Sequence, residues 1–155
     1  MNMHEILGAV GWLALTFAAA WFGSRFLPDE WYRQLPKPAW NPPNSIFGPV
    51  WTVLYILMAA AAWLVWRQHG LLLTLVPLGL FVAQLFLNAA WSWLFFDYHR
   101  IDLALVDILV LWVTLLATLL TFWNQSALAG ALLIPYLAWV SFATALNAAI
   151  WQKNR

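Results

Sequence analysis

The fold of this chain is decided by the stretch L-A-L-V-D-I-L-V-L-W-V-T-L-L-A-T-L-L-T-F-W, residues 103–123, in which Asp107 is the only charged residue. An α-helix of about 20 predominantly apolar residues crosses the hydrocarbon core of a bilayer, which is roughly 30 Å thick. A strand of a membrane barrel would instead alternate apolar and polar residues over about ten positions. The stretch therefore predicts a transmembrane helix.

Four further apolar runs accompany it, at about 6–26, 46–66, 72–96 and 128–151. Of the 155 residues, 65% are hydrophobic and 8% are charged. A soluble domain carries about 25% charged residues, so too few are present here to cover a surface that faces water. We predict an all-α membrane protein in which residues 1–155 form one five-transmembrane-helix bundle. Because residues 1–5 contain no Lys or Arg, we expect the first run to be a retained span rather than a signal peptide.

Composition excludes several classes of function. The formal net charge of +1 provides no basic field for a nucleic acid, and the absence of cysteine excludes disulfides and thiolate metal sites. His4, His69 and His99 fall in the N-terminal segment or in turns, so no span offers an imidazole to a haem iron. No carboxylate lies at mid-membrane, as a proton-coupled drug antiporter would require. We expect no obligatory cofactor.

The segment between the first two runs, residues 27–45, is here called the proline loop because it holds five of the eight prolines. Proline fixes φ and lacks an N–H donor, so this density predicts an ordered loop rather than a helix. Five spans put the two termini on opposite sides of the membrane. Six cations then fall on the side of the proline loop, and only Arg67 falls on the other: Arg25, Arg33, Lys37, Arg100, Lys153 and Arg155. The positive-inside rule predicts a cytoplasmic proline loop and C-terminus and an outside N-terminus, in a bacterial inner membrane.

Helical spacing places polar and aromatic residues on common faces. The third span carries Gln84, Asn88, Trp91 and Phe95 at steps of four, three and four. The second and fifth spans carry two similar faces, Trp51, Tyr55 and Met58 in one and Tyr136, Trp139, Ala143 and Asn147 in the other. Amides are unfavourable against lipid, so Gln84 and Asn88 should point into the bundle. There they either form hydrogen bonds between helices or face a ligand.

The direction of each helix brings these faces together. Trp51 and Tyr55 begin the second span at the end of the bundle where the proline loop lies, and Asn88 and Trp91 approach the same end. Trp31 and Trp40 lie in the loop itself. This convergence predicts a cavity beneath the proline loop, lined by aromatic rings, amides and hydroxyls. Such a site suits a large, flat, mostly apolar molecule.

Other intramembrane residues have simpler interpretations. Trp63, Trp66, Trp123 and Trp151 close spans beside polar residues, as interfacial tryptophans do. Trp112 has no polar neighbour at helical spacing, which favours a packing role. Asp107 lies near the start of the fourth span, where it is expected either to have an interhelical or capping role or to act in function.

Five segments together resemble a known family. They are K-P-A-W-N-P-P (residues 37–43), F-G-P-V-W-T-V-L-Y (47–55), L-N-A-A-W-S-W-L-F-F (87–96), A-L-V-D (104–107) and P-Y-L-A-W-V-S-F-A-T-A-L-N (135–147). In this order and spacing they are similar to the tryptophan-rich sensory protein family, TspO/MBR, whose mitochondrial member is the translocator protein or peripheral benzodiazepine receptor.

The resemblance implies a five-helix bundle, usually dimeric, that binds porphyrins, haem-pathway intermediates, benzodiazepine-type drugs and, in some members, sterols. It implies a pocket beneath the first loop with ligand contacts at Trp31, Trp40, Trp51, Tyr55, Asn88, Trp91, Trp139 and Ala143; the helical faces add Gln84. Mitochondrial members carry a tyrosine after the L-N pair of the fifth helix. Here Ala148 and Ala149 follow Leu146 and Asn147, so strong sterol binding is not expected.

The favoured function is a membrane receptor, sensor or translocator for porphyrin-type small molecules such as protoporphyrin IX, and for drug-like ligands. Two alternatives stay open: an enzyme that degrades porphyrin with light and uses the tryptophans as redox partners, and a regulatory partner of another membrane protein. Gly79 and Ala83 form a small-xxx-small pattern in the third span, which predicts a homodimer through that helix.

Overall fold

The computed structural model describes residues 1–155 and is helical throughout, without strands. Five helical segments are long and apolar enough to cross a membrane, at Met3–Ser24, Asn44–His69, Leu72–Asp97, Ile101–Gln125 and Ala127–Asn154. The prediction of an all-α, five-helix membrane bundle is therefore confirmed. The α-helices are α1 (Met3–Ser24), α2 (Glu30–Gln34), α3 (Phe47–His69), α4 (Leu75–Ser92), α5 (Ile101–Gln125), α6 (Ala127–Leu132) and α7 (Ile134–Asn154).

The predicted fifth span, 128–151, consists of two helices in the structure. Ser126 ends α5 and caps α6, because its side chain accepts a hydrogen bond from the backbone N–H of Ala129 at 3.3 Å. A break at Leu133 separates α6 from α7, and Pro135 lies in the first turn of α7. Proline is favoured there because the first N–H groups of a helix have no intrahelical partner to lose.

The predicted loop at 27–45 contains a five-residue helix, α2. Asp29 caps it by accepting a hydrogen bond from the backbone N–H of Tyr32 at 3.1 Å. At the other end, the Lys37 ammonium group donates to the carbonyls of Tyr32 at 2.7 Å and Leu35 at 3.1 Å, and lies 4.6 Å from the Tyr32 ring centroid. Both ends of α2 are thus closed by side chains, which explains how so short a helix forms between prolines.

Helix α4 is followed by a helical turn that is wider than an α-helical turn. Residues Trp93–Asp97 form a π-helix, closed by a hydrogen bond from Tyr98 N–H to the Trp93 carbonyl at 2.9 Å. His99 follows with a φ of 56°, in the left-handed region, and the chain turns into α5. π-helical turns are uncommon and occur frequently at functional sites.

The core lies between α3, α4, α5 and the α6–α7 pair. Its fully buried side chains include Met58, Phe81, Leu115, Phe122 and Tyr136. Helix α1 lies at the edge of the bundle, with Thr16 as its only buried residue. Large apolar side chains elsewhere point outward, as expected for a surface that faces lipid.

Arginines pair with tryptophans at both ends of the bundle. Arg67 lies 4.7 Å from the Trp63 ring centroid at one end, and Arg155 lies 5.3 Å from that of Trp151 at the other. Such cation–π pairs are favourable where an aromatic belt meets charged side chains at the membrane interface.

Helix α1 approaches α3 closely at one glycine. The Trp66 indole occupies the space that a Cβ on Gly8 would need, whereas no atom lies within 4 Å of the corresponding position on Gly11. One turn away, the Trp63 indole N–H donates to the carbonyl of Glu5 at 2.9 Å. The α1–α3 contact therefore depends on the missing side chain at Gly8.

We expect Gly8→Ala to lower the free energy of unfolding by about 1–3 kcal/mol, because the added methyl group overpacks the contact with Trp66. Gly11→Ala is the matched control: in open space, alanine should be neutral or stabilise the helix by up to about 1 kcal/mol. Thermal unfolding in detergent measures both. Equal melting temperatures for the two variants would contradict this account of the α1–α3 contact.

Candidate functional site

A cavity of about 480 Å³ lies between α1, α3, α4, α5 and α7, at the end of the bundle where the proline loop crosses. Its lining is mostly apolar and contains no charged residue. The lining residues are Ala20, Gly23, Ser24, Phe26, Leu27, Pro28, Tyr32, Asn44, Phe47, Gly48, Trp51, Tyr55, Asn88, Trp91, Ser92, Phe95, Phe96, Ile108, Leu111, Trp139, Val140, Phe142, Ala143, Leu146, Asn147 and Ile150.

The proline loop contributes Leu27, Pro28, Tyr32 and Asn44 to this lining. Tyr32 is almost fully buried, and its ring packs edge-on against Phe96 at 5.4 Å between centroids. Its hydroxyl donates to the Asn41 side-chain oxygen at 3.3 Å. Burial raises the pKa of Tyr32, so its phenol is neutral at pH 7. The loop is therefore anchored by a neutral aromatic side chain that also faces the cavity.

The π-helix at the end of α4 provides a second aromatic wall. Phe95 and Phe96 both line the cavity although they are consecutive, and their rings lie 5.0 Å apart. Trp91 contacts Phe95 at 5.1 Å and Phe96 at 5.7 Å. Successive residues of a regular α-helix diverge by about 100°, so the wider turn helps both rings to reach the same space.

Helices α3 and α7 provide the third wall, centred on Trp51. Its ring lies 5.5 Å from Tyr55, 6.1 Å from Tyr136 and 6.4 Å from Trp139, and the Trp51 and Trp139 planes are nearly perpendicular at 88°. Edge-to-face pairs at these separations are favourable aromatic contacts. The two indoles thus present surfaces of different orientation to the cavity.

A hydrogen-bonded chain of side chains, here called the tyrosine–amide network, links three helices beneath the cavity. The Tyr55 hydroxyl donates to Asn88 Oδ1 at 3.1 Å, and Asn88 Nδ2 donates to the Tyr136 hydroxyl at 2.6 Å. The Tyr136 hydroxyl in turn donates to Gln84 Oε1 at 2.7 Å. Gln84 Nε2 ends the chain at the Met58 sulfur, 4.0 Å away. These buried polar groups are therefore satisfied within the protein.

A second polar connection joins α4, α5 and α7 at the side of the cavity. The Trp91 indole N–H donates to Asn147 Oδ1 at 2.9 Å, and Asn147 Nδ2 donates to the Ile101 carbonyl at 3.2 Å. The hydrogen bond of the indole N–H thereby holds the Trp91 side chain in position. Its ring stays among the residues that line the cavity.

The chain matches known proteins over most of its length. The model of the TspO/MBR family matches residues 12–152. The chain is 41% identical to the translocator protein of Homo sapiens, over 94% of this chain and 89% of that protein. It is 41% identical to the tryptophan-rich protein TspO of Chlorobaculum tepidum, over 97% and 98% of the two chains. The tryptophan-rich sensory protein of Cereibacter sphaeroides is 40% identical, over 99% and 95%.

The chain belongs to the TspO/MBR family. With its five apolar helices, it is an integral, multi-pass membrane protein. Family membership supports a role as a membrane receptor or sensor.

Six of the nine predicted site residues of this TspO/MBR protein line the cavity: Trp51, Tyr55, Asn88, Trp91, Trp139 and Ala143. The other three lie outside the lining. Gln84 is fully buried one turn deeper and bonds to Tyr136, so the structure places it as a link between helices. Trp31 stacks on His99 at 4.1 Å, and Trp40 is 49% exposed with an edge contact to Phe142 at 5.7 Å.

Several lining residues were not among the predicted ones. Phe95, Tyr136 and Asn147 belong to the predicted helical faces, and Phe95 and Asn147 line the cavity while Tyr136 supports it through the tyrosine–amide network. Tyr32 and Phe96 carried no periodic signal, because one lies in the proline loop and the other in the π-helix. The end of α1 lines the cavity with Ala20, Gly23 and Ser24, and no face of aromatic or amide side chains on this helix identified them.

The structure adds to the interpretation of two single residues. Asp107 is 9% exposed, and its Oδ2 has no hydrogen-bond partner, so neither a capping nor an interhelical hydrogen bond of this oxygen is observed. Arg100 binds Asp102, at 2.9 and 3.0 Å. Trp112 packs against the core, as predicted, and its indole N–H also donates to Ser141 Oγ at 2.8 Å. Its partner is on α7, which the spacing within one helix could not show. No group of three His, Asp or Glu side chains that could hold a metal ion is present.

We expect Asn88→Ala to lower the free energy of unfolding by about 1–2 kcal/mol, because it deprives the buried Tyr55 hydroxyl of its acceptor and Tyr136 of a donor. Asn44→Ala is the control, since Asn44 lines the same cavity but makes no side-chain hydrogen bond. Thermal unfolding in detergent compares them. Equal destabilisation by both substitutions would show that the network contributes nothing specific.

Proposed function

We propose that this protein is a membrane receptor or translocator that binds tetrapyrroles, such as protoporphyrin IX and haem-pathway intermediates, and benzodiazepine-type drugs in the cavity beneath the proline loop. The observation that carries the proposal is the cavity itself. A volume of about 480 Å³ falls within the roughly 300–1,000 Å³ typical of small-molecule sites. The names of the human and Cereibacter relatives, translocator protein and sensory protein, agree with such a role.

The lining favours a flat aromatic ligand. Trp51 and Trp139 offer one ring surface each, and the group formed by Trp91, Phe95 and Phe96 offers a third on the opposite helix. An aromatic contact contributes about 0.5–1.5 kcal/mol beyond the area it buries. A macrocycle can touch several of these rings at once, whereas a small aliphatic molecule would touch few.

The polar part of the lining favours an uncharged ligand body. Tyr55 and Asn88 already form hydrogen bonds within the tyrosine–amide network, so they do not require hydrogen bonds from a ligand. Ser24, Ser92 and Asn44 remain as hydrogen-bonding groups near the loop end. Six of the seven Lys and Arg residues lie at the proline-loop end of the bundle, outside the cavity. Acidic substituents of a porphyrin would therefore be favoured there, next to these cations. The same distribution supports a cytoplasmic proline loop and C-terminus. The membrane that we propose is a bacterial inner membrane.

We expect purified protein to bind protoporphyrin IX with quenching of tryptophan fluorescence. Trp51→Phe and Trp139→Phe should each raise the dissociation constant by about 3- to 10-fold, because each variant loses part of an indole contact. Trp21→Phe is the control, since Trp21 is 64% exposed and outside the lining. Absence of saturable quenching, or equal affinities in all four proteins, would overturn the proposal.

The assembly proposed with this function is a homodimer through α4. Gly79 and Ala83 lie exposed on the outer face of this helix, together with Val76 and Phe86. Open space surrounds the Gly79 Cα on the side where a Cβ would project. Small residues at this spacing allow a second helix to approach closely in a membrane.

The homodimer predicts cross-linking at one position. The chain has no cysteine, so Ala83→Cys introduces a single thiol, which oxidation in the membrane should convert to a disulfide-linked dimer. Val113→Cys, on the exposed face of α5, is the control and should stay monomeric on a non-reducing gel. Equal yields of dimer from the two variants would indicate random collision and not an interface.

A further inference from the structure

Two polar contacts attach the proline loop to the rest of the bundle. In one, Asn154 Nδ2 of α7 donates to the Pro36 carbonyl at 3.1 Å; the other is made by His99. His99, in the turn between α4 and α5, places its Nε2 3.3 Å from Asp29 Oδ2. The Trp31 ring stacks on the His99 ring with 4.1 Å between centroids and an angle of 16°. Asp29 and Trp31 both belong to the segment that carries α2 and Tyr32, which lines the cavity.

We propose that His99 is a positioning residue that holds the proline loop over the cavity, and that it does so more firmly when the imidazole is protonated. This inference rests on the proposed function, because it concerns how a ligand in that cavity is retained. His99 is not one of the lining residues; it acts through Asp29 and Trp31.

The backbone fixes the imidazole in place for this contact. His99 has a φ of 56°, and the N–H of the next residue, Arg100, donates to the Leu94 carbonyl at 3.0 Å. The turn is therefore locked to the π-helix that supplies Phe95 and Phe96. Trp31 also meets Phe95 directly, at 6.0 Å. The loop, the histidine and the aromatic wall of the cavity thus form one continuous set of contacts.

The charges around His99 give the direction of the pH effect. Asp29 carries the facing carboxylate, and its hydrogen bond from Tyr32 N–H, aided by His99, lowers its pKa. It therefore stays ionised in the range from about pH 5 to 8 where histidine side chains gain a proton. Protonation converts the contact into an ion pair and adds a cation–π term with Trp31. The contact is therefore stronger with a protonated imidazole than with a neutral one.

The other charged groups near the turn do not oppose this effect. On the loop side, Glu30 pairs with Arg33 at 3.1 Å. At the start of α5, Arg100 pairs with Asp102 at 2.9 Å. Asp97, two residues before His99, adds negative charge to the same turn. Asp29 is therefore the carboxylate that an imidazolium at His99 contacts, and Arg33 and Arg100 are each paired with another carboxylate.

The experiment uses the full chain in lipid nanodiscs, without ligand. Ala39, exposed in the proline loop, is replaced by cysteine and labelled with a nitroxide, which is specific because the chain has no cysteine. We expect the ratio of mobile to immobile label to be about 3- to 10-fold higher at pH 8 than at pH 6. Equal ratios at the two pH values would overturn the proposal.

Two conservative variants locate the effect. In the labelled protein, His99→Asn keeps a residue that tolerates positive φ, and Asp29→Asn keeps a good helix cap, so both should fold. Each should abolish the difference between pH 6 and pH 8. His69→Asn is the matched control, because His69 contacts the Gln125 carbonyl at the opposite end of the bundle; it should retain the difference. Persistence of the pH effect in His99→Asn would refute the assignment to His99.

A ligand measurement separates this inference from the proposed function. Dissociation of bound protoporphyrin IX should be slower at pH 6 than at pH 8 in the unsubstituted protein, and the ratio should fall toward one in His99→Asn. If protoporphyrin IX does not bind at all, the proposed function fails while the nitroxide result still decides whether His99 holds the loop. If it binds but dissociates with the same pH dependence in both proteins, only the role of His99 fails.

Discussion

The tyrosine–amide network is the interaction on which the arrangement of the bundle around the cavity depends. Lipid offers no hydrogen bonds, so an amide or phenol at this depth must find its partner in the protein. This requirement is met by hydrogen bonds among Tyr55, Asn88, Tyr136 and Gln84. Each side chain both satisfies its neighbour and restricts that neighbour's position. The network fixes α3, α4 and α7 relative to one another. The space above it can then be lined by rings without leaving buried polar groups unpaired.

The loop end of the bundle is built differently. Here the helices end and the backbone is irregular, with a π-helix in one wall and a short capped helix in the proline loop. Aromatic packing replaces the interhelical hydrogen bonds as the main contact, through Tyr32, Phe95 and Phe96. Such contacts are individually modest and tolerate small displacements better than a buried amide does. The deep end of the cavity is therefore the more rigid, and the loop end the more adaptable.

Much of this could be predicted from the sequence, because the bilayer limits the choices. Span length and composition determined the five helices, and the 3.6-residue period brought Trp51, Asn88 and Trp139 to the cavity. The helical period shows which residues share a face, but it does not show how far along the bundle the cavity extends. Gln84 therefore shares a face with Asn88, yet it bonds to Tyr136 below the cavity.

The rest depended on contacts distant in sequence. Trp31 and Trp40 were expected at the ligand because they lie in the loop, yet a loop has no period from which to infer direction. The π-helix and the break at Leu133 alter the register within a span, and neither changes its composition.

The mostly apolar lining of the cavity has a thermodynamic consequence. Burial of apolar surface on binding lowers the heat capacity, and this signature survives even when enthalpy and entropy compensate each other. A molecule that enters between Trp51, Trp139 and the Phe95–Phe96 pair buries mainly carbon surface on both sides. Its binding enthalpy should therefore become steadily more favourable on warming. Discrimination among ligands would then follow the shape and extent of their ring systems more than their hydrogen-bonding groups.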